Sequence, residues 1–505
     1  MNRKATTGFI VLAVFATVAG VGVNGKMRAA LGVPETAPPN IVFIITDDQR
    51  VEMARYMPNL QRDIISKGMR FINAYAGNPL CCPARTSILR GQYSHLTRMY
   101  ANAGTYGGAQ KMRQWQLDRE ALPVWLDRAG YRTALIGKYL NGYNPTVALG
   151  SKTPRGWDYF RAWLPEGGQV GEGYQNFAVA EGTSGTPPVK VTYSGTSSRA
   201  YSTNVYTRYA ESFIASVPST EPLFLSLNYY APHSPYTPAP RDATAPCGAH
   251  PLYPSVGEAD VSDKPQWVQA KVWSSTQTSK MKTRWVQRCR MLLSVDRGIA
   301  AVTTALEARD PGLRNTVIIF TSDQGVADGE HRLGNKKTAY EGSAGVPFYV
   351  RWSGVVPNKT RSRRLVTHVD MAATAAALAG AVIPNPVPCL APCILGPMEG
   401  KNLVPLLLNR PAPWWRSSLL IEHYEVPTAA SKYVPPYCAV VTDDRMKYVR
   451  FDPDHELLNE ELYDLKADPY ELENKAYDPA YAVIKRKLLA ELQPLCSPTP
   501  PDYGF

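Results

Sequence analysis

The chain has 505 residues, of which 44% are hydrophobic and 19% are charged, and this composition excludes an intrinsically disordered protein. Its length allows one large domain with a smaller one, or three small domains. The formal net charge of +12 favours anionic partners such as nucleic acid, anionic lipid or an anionic polysaccharide. Because no dense Lys/Arg run is interleaved with aromatic residues, the sequence gives little support to nucleic-acid binding.

The N-terminus has the pattern of an export signal. MNRK is a short basic segment, and GFIVLAVFATVAGVGV is an apolar run of signal-peptide length that is short for a transmembrane helix. We predict a signal peptide over residues 1–25, either cleaved after Ala19 or Gly25 or retained as an anchor. The protein is then secreted or extracytoplasmic, in the periplasm or cell envelope. No later segment approaches a membrane span, so none is expected once the signal is removed.

Short apolar runs, rich in β-branched residues or leucine, predict buried strands of a parallel sheet. These runs are Asn40–Thr46, Thr133–Gly137, Leu223–Tyr230 and Thr316–Thr321. Helical patterns lie between them, at Met57–Gly68, Leu122–Gly130 and Met291–Ala308. The alternation of strands and helices predicts an α/β fold.

Polar side chains follow each of the four predicted strands. In chain order they are Asp47 with Asp48, then Lys138, then His233, then Asp323 with Gln324. In open α/β sheets, ligands bind outside the carboxyl ends of the strands. A single Asp after a strand is more often a turn residue or a helix cap. Four strands that carry such groups to one edge instead predict a shared site.

The oxygen-bearing members of this set suggest a metal. Asp47, Asp48, Asp323 and Gln324 offer hard oxygen ligands, which suit Ca²⁺ or Mg²⁺ rather than zinc. Such a centre could also hold an anionic substrate oxygen. Residue type alone, however, favours a network of caps and salt bridges over a metal site.

Residues 150–200, rich in Gly, Ser and Thr, predict a surface excursion with a hairpin.

The C-terminal part of the chain changes character after PAPWW. From about residue 410, the run Leu419–Tyr424, a hairpin in CAVVTDDRMKYVRF and a terminal helix in AVIKRKLLAELQPL predict a smaller α+β subdomain. We therefore divide the mature chain into a catalytic domain at 36–409 and a small-sheet subdomain at 410–505.

The chain has eight cysteines, and two of them, Cys81 and Cys82, are adjacent. Export favours disulfides among the other six. Pairing by proximity in sequence gives Cys247–Cys289, Cys389–Cys393 and Cys438–Cys496, which is one of the possible connectivities.

The stretch around the adjacent cysteines, CCPARTSILRG, resembles the sulfatase signature, in which Cys-x-Pro-Ser/Ala-Arg is followed by a helix and a Gly. Further blocks are similar to sulfatase motifs in the expected order: NIVFIITDDQ, GKYLNGY, APHSP, TSDQGVADGEHR, NKKTAYEGSAGVP and ELYDLKADPYELEN. CCPAR and GKYLN are most similar to the N-acetylglucosamine-6-sulfatase branch. The resemblance implies an alkaline-phosphatase-like fold, with a large, mostly parallel central sheet flanked by helices and a smaller C-terminal α+β subdomain.

The resemblance also implies roles for individual residues. Cys81 matches the residue that the formylglycine-generating enzyme oxidises to Cα-formylglycine during maturation, and Arg85 matches its stabilising partner. Lys138 and Lys336 match the lysines that hold sulfate oxygens, with Lys337 as the alternative to Lys336. His233 matches the histidine near the ester oxygen. The ligands of Ca²⁺, or of Mg²⁺, are matched by Asp47, Asp48, Asp323 and Gln324. Gln324 stands where Asn is common.

Two further residues are possible substrate contacts. Leu140 occupies the place of a second family histidine, so the task of that imidazole falls to Asn141 or another group. His331 could line the site, although a hydrogen-bonded structural histidine is an equally simple interpretation.

The resulting prediction is a sulfatase that hydrolyses a sulfate monoester through a formylglycine hydrate nucleophile and Ca²⁺. The substrate is a sulfated sugar of the N-acetylglucosamine-6-sulfate type, or an aryl sulfate. One alternative is a phosphomonoester or phosphodiester hydrolase of the same superfamily; these usually place Ser or Thr at the nucleophile position and bind two zinc ions through extra histidines, whereas this chain has seven histidines in all. Another alternative is a non-catalytic relative that binds sulfated glycans, against which the intact Cys-x-Pro-x-Arg motif speaks.

Overall fold

The computed structural model describes residues 38–145, 152–164, 173–424, 434–452, 458–501 and 503–505. The predicted signal peptide lies outside these ranges and stays a prediction. Within them, no helix is both long enough and apolar enough to cross a membrane.

Two sheets contain the strands of the described chain. The strands are β1 Asn40–Thr46, β2 Met69–Tyr75, β3 Arg132–Gly137, β4 Tyr159–Leu164, β5 Phe177–Gly182, β6 Val189–Tyr193, β7 Leu223–Asn228, β8 Thr316–Ser322, β9 Phe348–Trp352, β10 Thr360–Thr367, β11 Ser418–His423, β12 Tyr437–Thr442, β13 Met446–Phe451 and β14 Glu460–Asp464. The first ten form a large sheet in the order β10-β2-β9-β8-β1-β7-β3-β4-β5-β6, and the last four form a small sheet in sequence order.

The centre of the large sheet is parallel. β8, β1, β7, β3 and β4 are neighbours that run in the same direction, whereas β9 is antiparallel to both its neighbours and β5 and β6 extend the far edge as an antiparallel hairpin. The predicted α/β class with a mostly parallel central sheet is confirmed. The four predicted strands are β1, β3, β7 and β8, close to their predicted bounds.

Strand β1 shows why these runs lack an alternating polar pattern. Ile41, Phe43 and Ile45 face one layer of the core, and Val42 and Ile44 face the other. All five side chains are buried. Because helices cover both faces of the sheet, every position along the strand must be apolar until the strand reaches its carboxyl end.

The helices of the described chain flank the large sheet and close the small one. They are α1 Pro58–Leu60, α2 Cys81–Arg90, α3 Ser94–Thr97, α4 Ala109–Gln114, α5 Leu122–Arg128, α6 Ser202–Ser216, α7 Gln266–Gln269, α8 Ser275–Arg309, α9 Glu341–Ala344, α10 Val369–Ala379, α11 Val404–Leu407 and α12 Ala482–Leu495. Helices α2, α5 and α10 contact one another on one face, and α6 and α8 pack together on the other.

Two helix predictions need correction. The pattern at Met57–Gly68 forms only the short helix α1 followed by a π-helical turn at Gln61–Ile65. The helix predicted at Met291–Ala308 begins much earlier, at Ser275. Its start is marked by a capping box, in which Ser274 and Gln277 satisfy each other's backbone amides.

The small sheet is antiparallel throughout, and α12 covers one of its faces with Leu488 and Leu492. Its other face packs against the large sheet, where Tyr75 and Leu365 meet Leu419. The predicted C-terminal α+β unit is confirmed, and the boundary at residue 410 stays a prediction.

The cysteine pairing follows the prediction. Disulfides join Cys247 to Cys289, Cys389 to Cys393 and Cys438 to Cys496. The third one ties β12 to the residue that follows α12. Cys81 and Cys82 are free and buried.

Candidate active site

Four neighbouring strands deliver polar groups to one edge of the large sheet. β8, β1, β7 and β3 lie side by side and parallel, so their carboxyl ends coincide. These ends carry Asp323 with Gln324, Asp47 with Asp48, the segment leading to His233, and Lys138. The polar residues that directly follow these strands are buried because the strands themselves lie in the core.

Helix α2 brings Cys81 to the same edge. Cys81 is its first residue, and Arg85 lies one turn later, so both side chains occupy the same face of the helix. Leu80 provides no side-chain cap; instead Asn102 Oδ1 accepts a hydrogen bond from the Cys82 amide at 2.9 Å. The amino end of a helix favours negative charge, and here that end coincides with Cys81.

The Cys81 thiol is surrounded by groups from three different strands or loops. Its Sγ lies 2.8 Å from Lys336 Nζ, 3.4 Å from Gln324 Nε2 and 3.7 Å from Asp47 Oδ1. Cys82 faces a different environment, and burial raises its pKa to about 12. The two adjacent thiols therefore differ: Cys81 faces the polar cluster, whereas Cys82 packs with the apolar core.

Two buried cations and one half-buried cation face three buried carboxylates. Lys138 Nζ contacts Asp47, Lys336 Nζ lies 2.8 Å from Asp48 Oδ1, and the Arg85 Nε lies 2.9 Å from Asp323 Oδ2. Burial raises the pKa of Asp47, but the charges of Lys138, His233, Arg85 and Lys336 together outweigh burial and hold that pKa well below its usual value. The carboxylate of Asp47 is therefore ionised at neutral pH.

Asp323 behaves differently from its neighbours. Burial, followed by the nearby charge of Asp47, raises its pKa, although Arg85 opposes both effects. The three carboxylates thus repel one another at close range, and Asp323 is the one whose pKa is raised. A divalent cation among them would relieve this repulsion.

The oxygen donors meet the needs of such a cation. One ligand atom each from Asp47, Asp48, Cys81 and His233 lies within 4.8 Å of the others. Asp323 Oδ1 is 3.3 Å from the Asp48 amide, and Gln324 Oε1 is buried without a hydrogen-bond partner. An unpartnered buried amide oxygen beside carboxylates fits the ligand preference of Ca²⁺.

His233 closes the cluster from the side of β7. Its Nε2 lies 3.7 Å from Asp48 Oδ2, and its Nδ1 lies 2.5 Å from the carbonyl oxygen of Ser234. Because a carbonyl only accepts, Nδ1 carries the proton and Nε2 faces the site. The imidazole also packs on Tyr230. Burial lowers the pKa of His233, and the charges of Asp47 and Asp48 only partly compensate.

The three remaining predicted residues lie differently. No hydrogen bond joins the Asn141 side chain to Cys81. The backbone carbonyl of Asn141 accepts a hydrogen bond from the Ala109 amide at 2.8 Å. His331 is buried, with Nδ1 2.6 Å from Glu258 Oε2, and lines a cavity of about 610 Å³ that none of the residues contacting Cys81 lines. Lys337 contributes its backbone, which bonds to Pro79 and to Tyr437.

Sequence reasoning missed two residues of the cluster. Asn228, the last residue of β7, accepts a hydrogen bond from Arg85 Nη1 through Oδ1 at 3.3 Å. It could have been found by the reasoning that located Lys138, namely that a polar residue at the end of an apolar strand indicates a site. Asn102, which caps the start of α2, lies in a loop with no motif to mark it.

Comparisons with known proteins agree with this geometry. Residues 39–381 match the sulfatase family, and residues 329–497 match the family described as N-sulphoglucosamine sulphohydrolase, C-terminal. An arylsulfatase of Volvox carteri is 31% identical over 511 residues, covering 90% of this chain and 74% of its own. A human N-acetylglucosamine-6-sulfatase is 29% identical over 516 residues, covering 95% of this chain and 88% of its own.

Solved structures share the fold. The structure of BT4656 in complex with its substrate D-glucosamine-2-N,6-O-disulfate superimposes with a TM-score of 0.71 at 24% identity, covering 91% of this chain and 98% of its own.

Proposed function

The chain belongs to the sulfatase family and is a sulfuric ester hydrolase, and from that premise we propose that it hydrolyses the sulfate monoester of a sulfated sugar of the N-acetylglucosamine-6-sulfate type, with aryl sulfates as alternative substrates. The observation that carries the proposal is the placement of Cys81. Its Sγ lies at the start of a helix, 2.8 Å from Lys336 Nζ and among carboxylates from two strands.

The proposal includes two groups that the chain would acquire. Asp47, Asp48, Asp323 and Gln324 would hold Ca²⁺, or Mg²⁺, which would supply Lewis-acid polarisation of a sulfate oxygen. The formylglycine-generating enzyme would oxidise Cys81 to Cα-formylglycine, whose hydrate supplies a hydroxyl nucleophile and a second hydroxyl for release of sulfate.

Charge balance supports an anionic substrate. The carboxylates of Asp47, Asp48 and Asp323 are matched by Lys138, Lys336 and Arg85. A divalent cation would add two positive charges, and a sulfate monoester carries a negative charge on its three outer oxygens. Preorganised cations around those oxygens stabilise the charge that develops in the transition state.

Lys336 and His233 suit different steps. Although burial disfavours the charged form of Lys336, the negative groups around it, of which Asp48 has the largest effect, together outweigh burial and raise the pKa of Lys336 well above its usual value. Lys336 thus keeps its proton and suits the holding of a sulfate oxygen, as does Lys138. His233, whose pKa is lowered by burial, presents an unprotonated Nε2 to the site, so it suits taking up the proton of the nucleophilic hydroxyl and passing it to the departing alcohol.

The substrate class rests on relatives and on charge. Relatives named as N-acetylglucosamine-6-sulfatases, together with the glucosamine disulfate complex of a structural neighbour, support a 6-sulfated glucosamine. The net charge of +12 is compatible with a sulfated polysaccharide. Extracellular sulfatases of Caenorhabditis elegans and Drosophila melanogaster are also similar to the chain, which supports the proposed export.

Two cysteine variants test the proposal. Cys81→Ala should abolish hydrolysis of defined sulfated saccharides and of an aryl sulfate with little change in thermal stability, whereas Cys82→Ala should remain active. Mass spectrometry of the Cys81 peptide from active protein should show sulfur replaced by the aldehyde oxygen. Only free thiol or disulfide in active enzyme would contradict the mechanism, and an active Cys81→Ala would mean that the wrong cysteine was assigned. Chelation should remove activity, and Ca²⁺ should restore it.

A further inference from the structure

The backbone next to Lys336 is fixed from both sides. The amide of Lys337 donates to the carbonyl oxygen of Pro79 at 3.0 Å, and the carbonyl of Lys337 accepts from the Tyr437 hydroxyl at 3.0 Å. Pro79 precedes Cys81 by two residues, so the first bond sets the distance between the Lys336 segment and the start of α2. Tyr437 belongs to β12 of the small sheet and is completely buried.

Lys337 needs this restraint because its backbone is strained. Its φ is +83°, in the left-handed region that non-glycine residues avoid. Such a conformation persists only where the surroundings fix it, and strained residues concentrate at functional sites. Here the two hydrogen bonds hold the peptide groups on either side of the strained residue. The direction of the Lys336 side chain therefore depends on them.

The small sheet also holds the residues that follow. Lys447 of β13 is buried, and its Nζ donates to the Ala339 carbonyl at 2.7 Å and to Glu341 Oε1 at 2.8 Å. Glu471 Oε2 accepts from the Glu341 amide at 2.8 Å. The segment after Lys336 is thus held by the C-terminal part of the chain, in addition to its bonds with the large-sheet side at Tyr75 and Ala76.

We propose that Tyr437 is a positioning residue, which holds Lys336 against the reacting atoms through the backbone of Lys337. The catalytic centre is then incomplete without the C-terminal sheet. This inference rests on the proposed function, in which Lys336 holds a sulfate oxygen. Since Lys336 Nζ lies 2.8 Å from Cys81 Sγ, a small rotation of the Lys337 backbone would shift the ammonium group relative to the bond that breaks.

The test is Tyr437→Phe, which removes the hydroxyl and keeps the ring. With an aryl sulfate as substrate, we expect kcat to fall about tenfold, because small misplacements of a charged group weaken transition-state stabilisation. KM should change by less than about threefold, since the ground state depends less on that placement. The dissociation constant of inorganic sulfate, measured by calorimetry, should rise by about threefold, which reports on Lys336 without turnover.

Tyr448→Phe is the matched control. Tyr448 lies in β13 of the same sheet, but its hydroxyl contacts Glu460 and its ring packs with α12 on the opposite face. This variant should keep kcat within about twofold of wild type. Equal losses in the two variants, or an unchanged Tyr437→Phe, would overturn the positioning role. A wild-type protein that binds sulfate but hydrolyses no sulfate ester would contradict the proposed function alone, and the sulfate affinity of Tyr437→Phe would still test the inference. Failure of the wild type to bind sulfate would contradict both.

Discussion

We expect a buried histidine between two carboxylates to make this protein less stable as the pH rises above neutrality. His95 lies in α3, with Nε2 2.9 Å from Glu399 Oε1 and Nδ1 3.3 Å from Glu422 Oε2. Burial by itself would lower the pKa of the imidazole. The charge of Glu422 and the close contacts of the ring with both carboxylates together outweigh burial and raise the pKa of His95 to about 10.

The size of the effect follows from proton linkage. The imidazole of an unfolded chain titrates near pH 6.5, so the folded protein binds the proton more tightly. The stabilisation is therefore fully present below pH 6.5 and is lost as the pH rises through about 10. At pH 7 it amounts to about 4 kcal/mol, and it decreases by about 1.4 kcal/mol for each pH unit above that.

Urea unfolding between pH 7 and pH 9.5 measures this dependence. The reference is the double variant His95→Gln/Glu422→Gln, in which the central pair no longer titrates while other groups of the protein still do. The free energy of unfolding of the wild type should fall by about 3 kcal/mol more than that of the reference across this range. Parallel pH curves for the two proteins would refute the assignment of a charged His95.

Two substitutions at the sheet edge should lower kcat, and the first of them should also lower stability. Gly137→Ala should lower the free energy of unfolding, measured by heat or urea, by at least about 3 kcal/mol, because φ of Gly137 is +93° and a Cβ would lie 2.0 Å from the Asn228 carbonyl oxygen. It should also lower kcat, because this position directly precedes Lys138. Unchanged stability would contradict that clash. Arg85→Lys should lower kcat by at least about a hundredfold, because an ammonium cannot bond Asp323, the Lys138 carbonyl and Asn228 in the geometry of a guanidinium. Steady-state kinetics on an aryl sulfate checks it, and near-normal kcat would show that charge alone is sufficient.

The central strands were predictable because their environment is uniform. β1 is buried on both faces, so its sequence is apolar from Ile41 to Ile45 and its end is marked by Asp47. Helix α8 was predicted only in its second half. Its first turns are largely exposed and lack an apolar period, although the Ser274 and Gln277 pair marks the start.

The strands on the β10 side of the large sheet were harder to predict. β10 pairs with β2 near one edge of the large sheet, and its first half is largely exposed and rich in arginine, so it carries no continuous apolar run. β9 lies between β8 and β2 and runs against both. Which strand pairs with which, and in which direction, depends on contacts between distant parts of the chain that no local pattern records.

In the candidate site, too, some residues were predictable from the local sequence and others were not. Lys138 and Asp323 could be predicted because a polar residue at the end of an apolar strand violates the local pattern, and that violation is visible in the sequence. Tyr437 could not be predicted. It lies 100 residues from Lys337 and bonds only to a backbone carbonyl, which is present whatever side chain stands at that position. A contact of this kind imposes no residue type at the partner position, so no motif forms around it. The groups that touch the substrate in our proposal are therefore readable from sequence, whereas the groups that hold them in place become visible only in the folded structure.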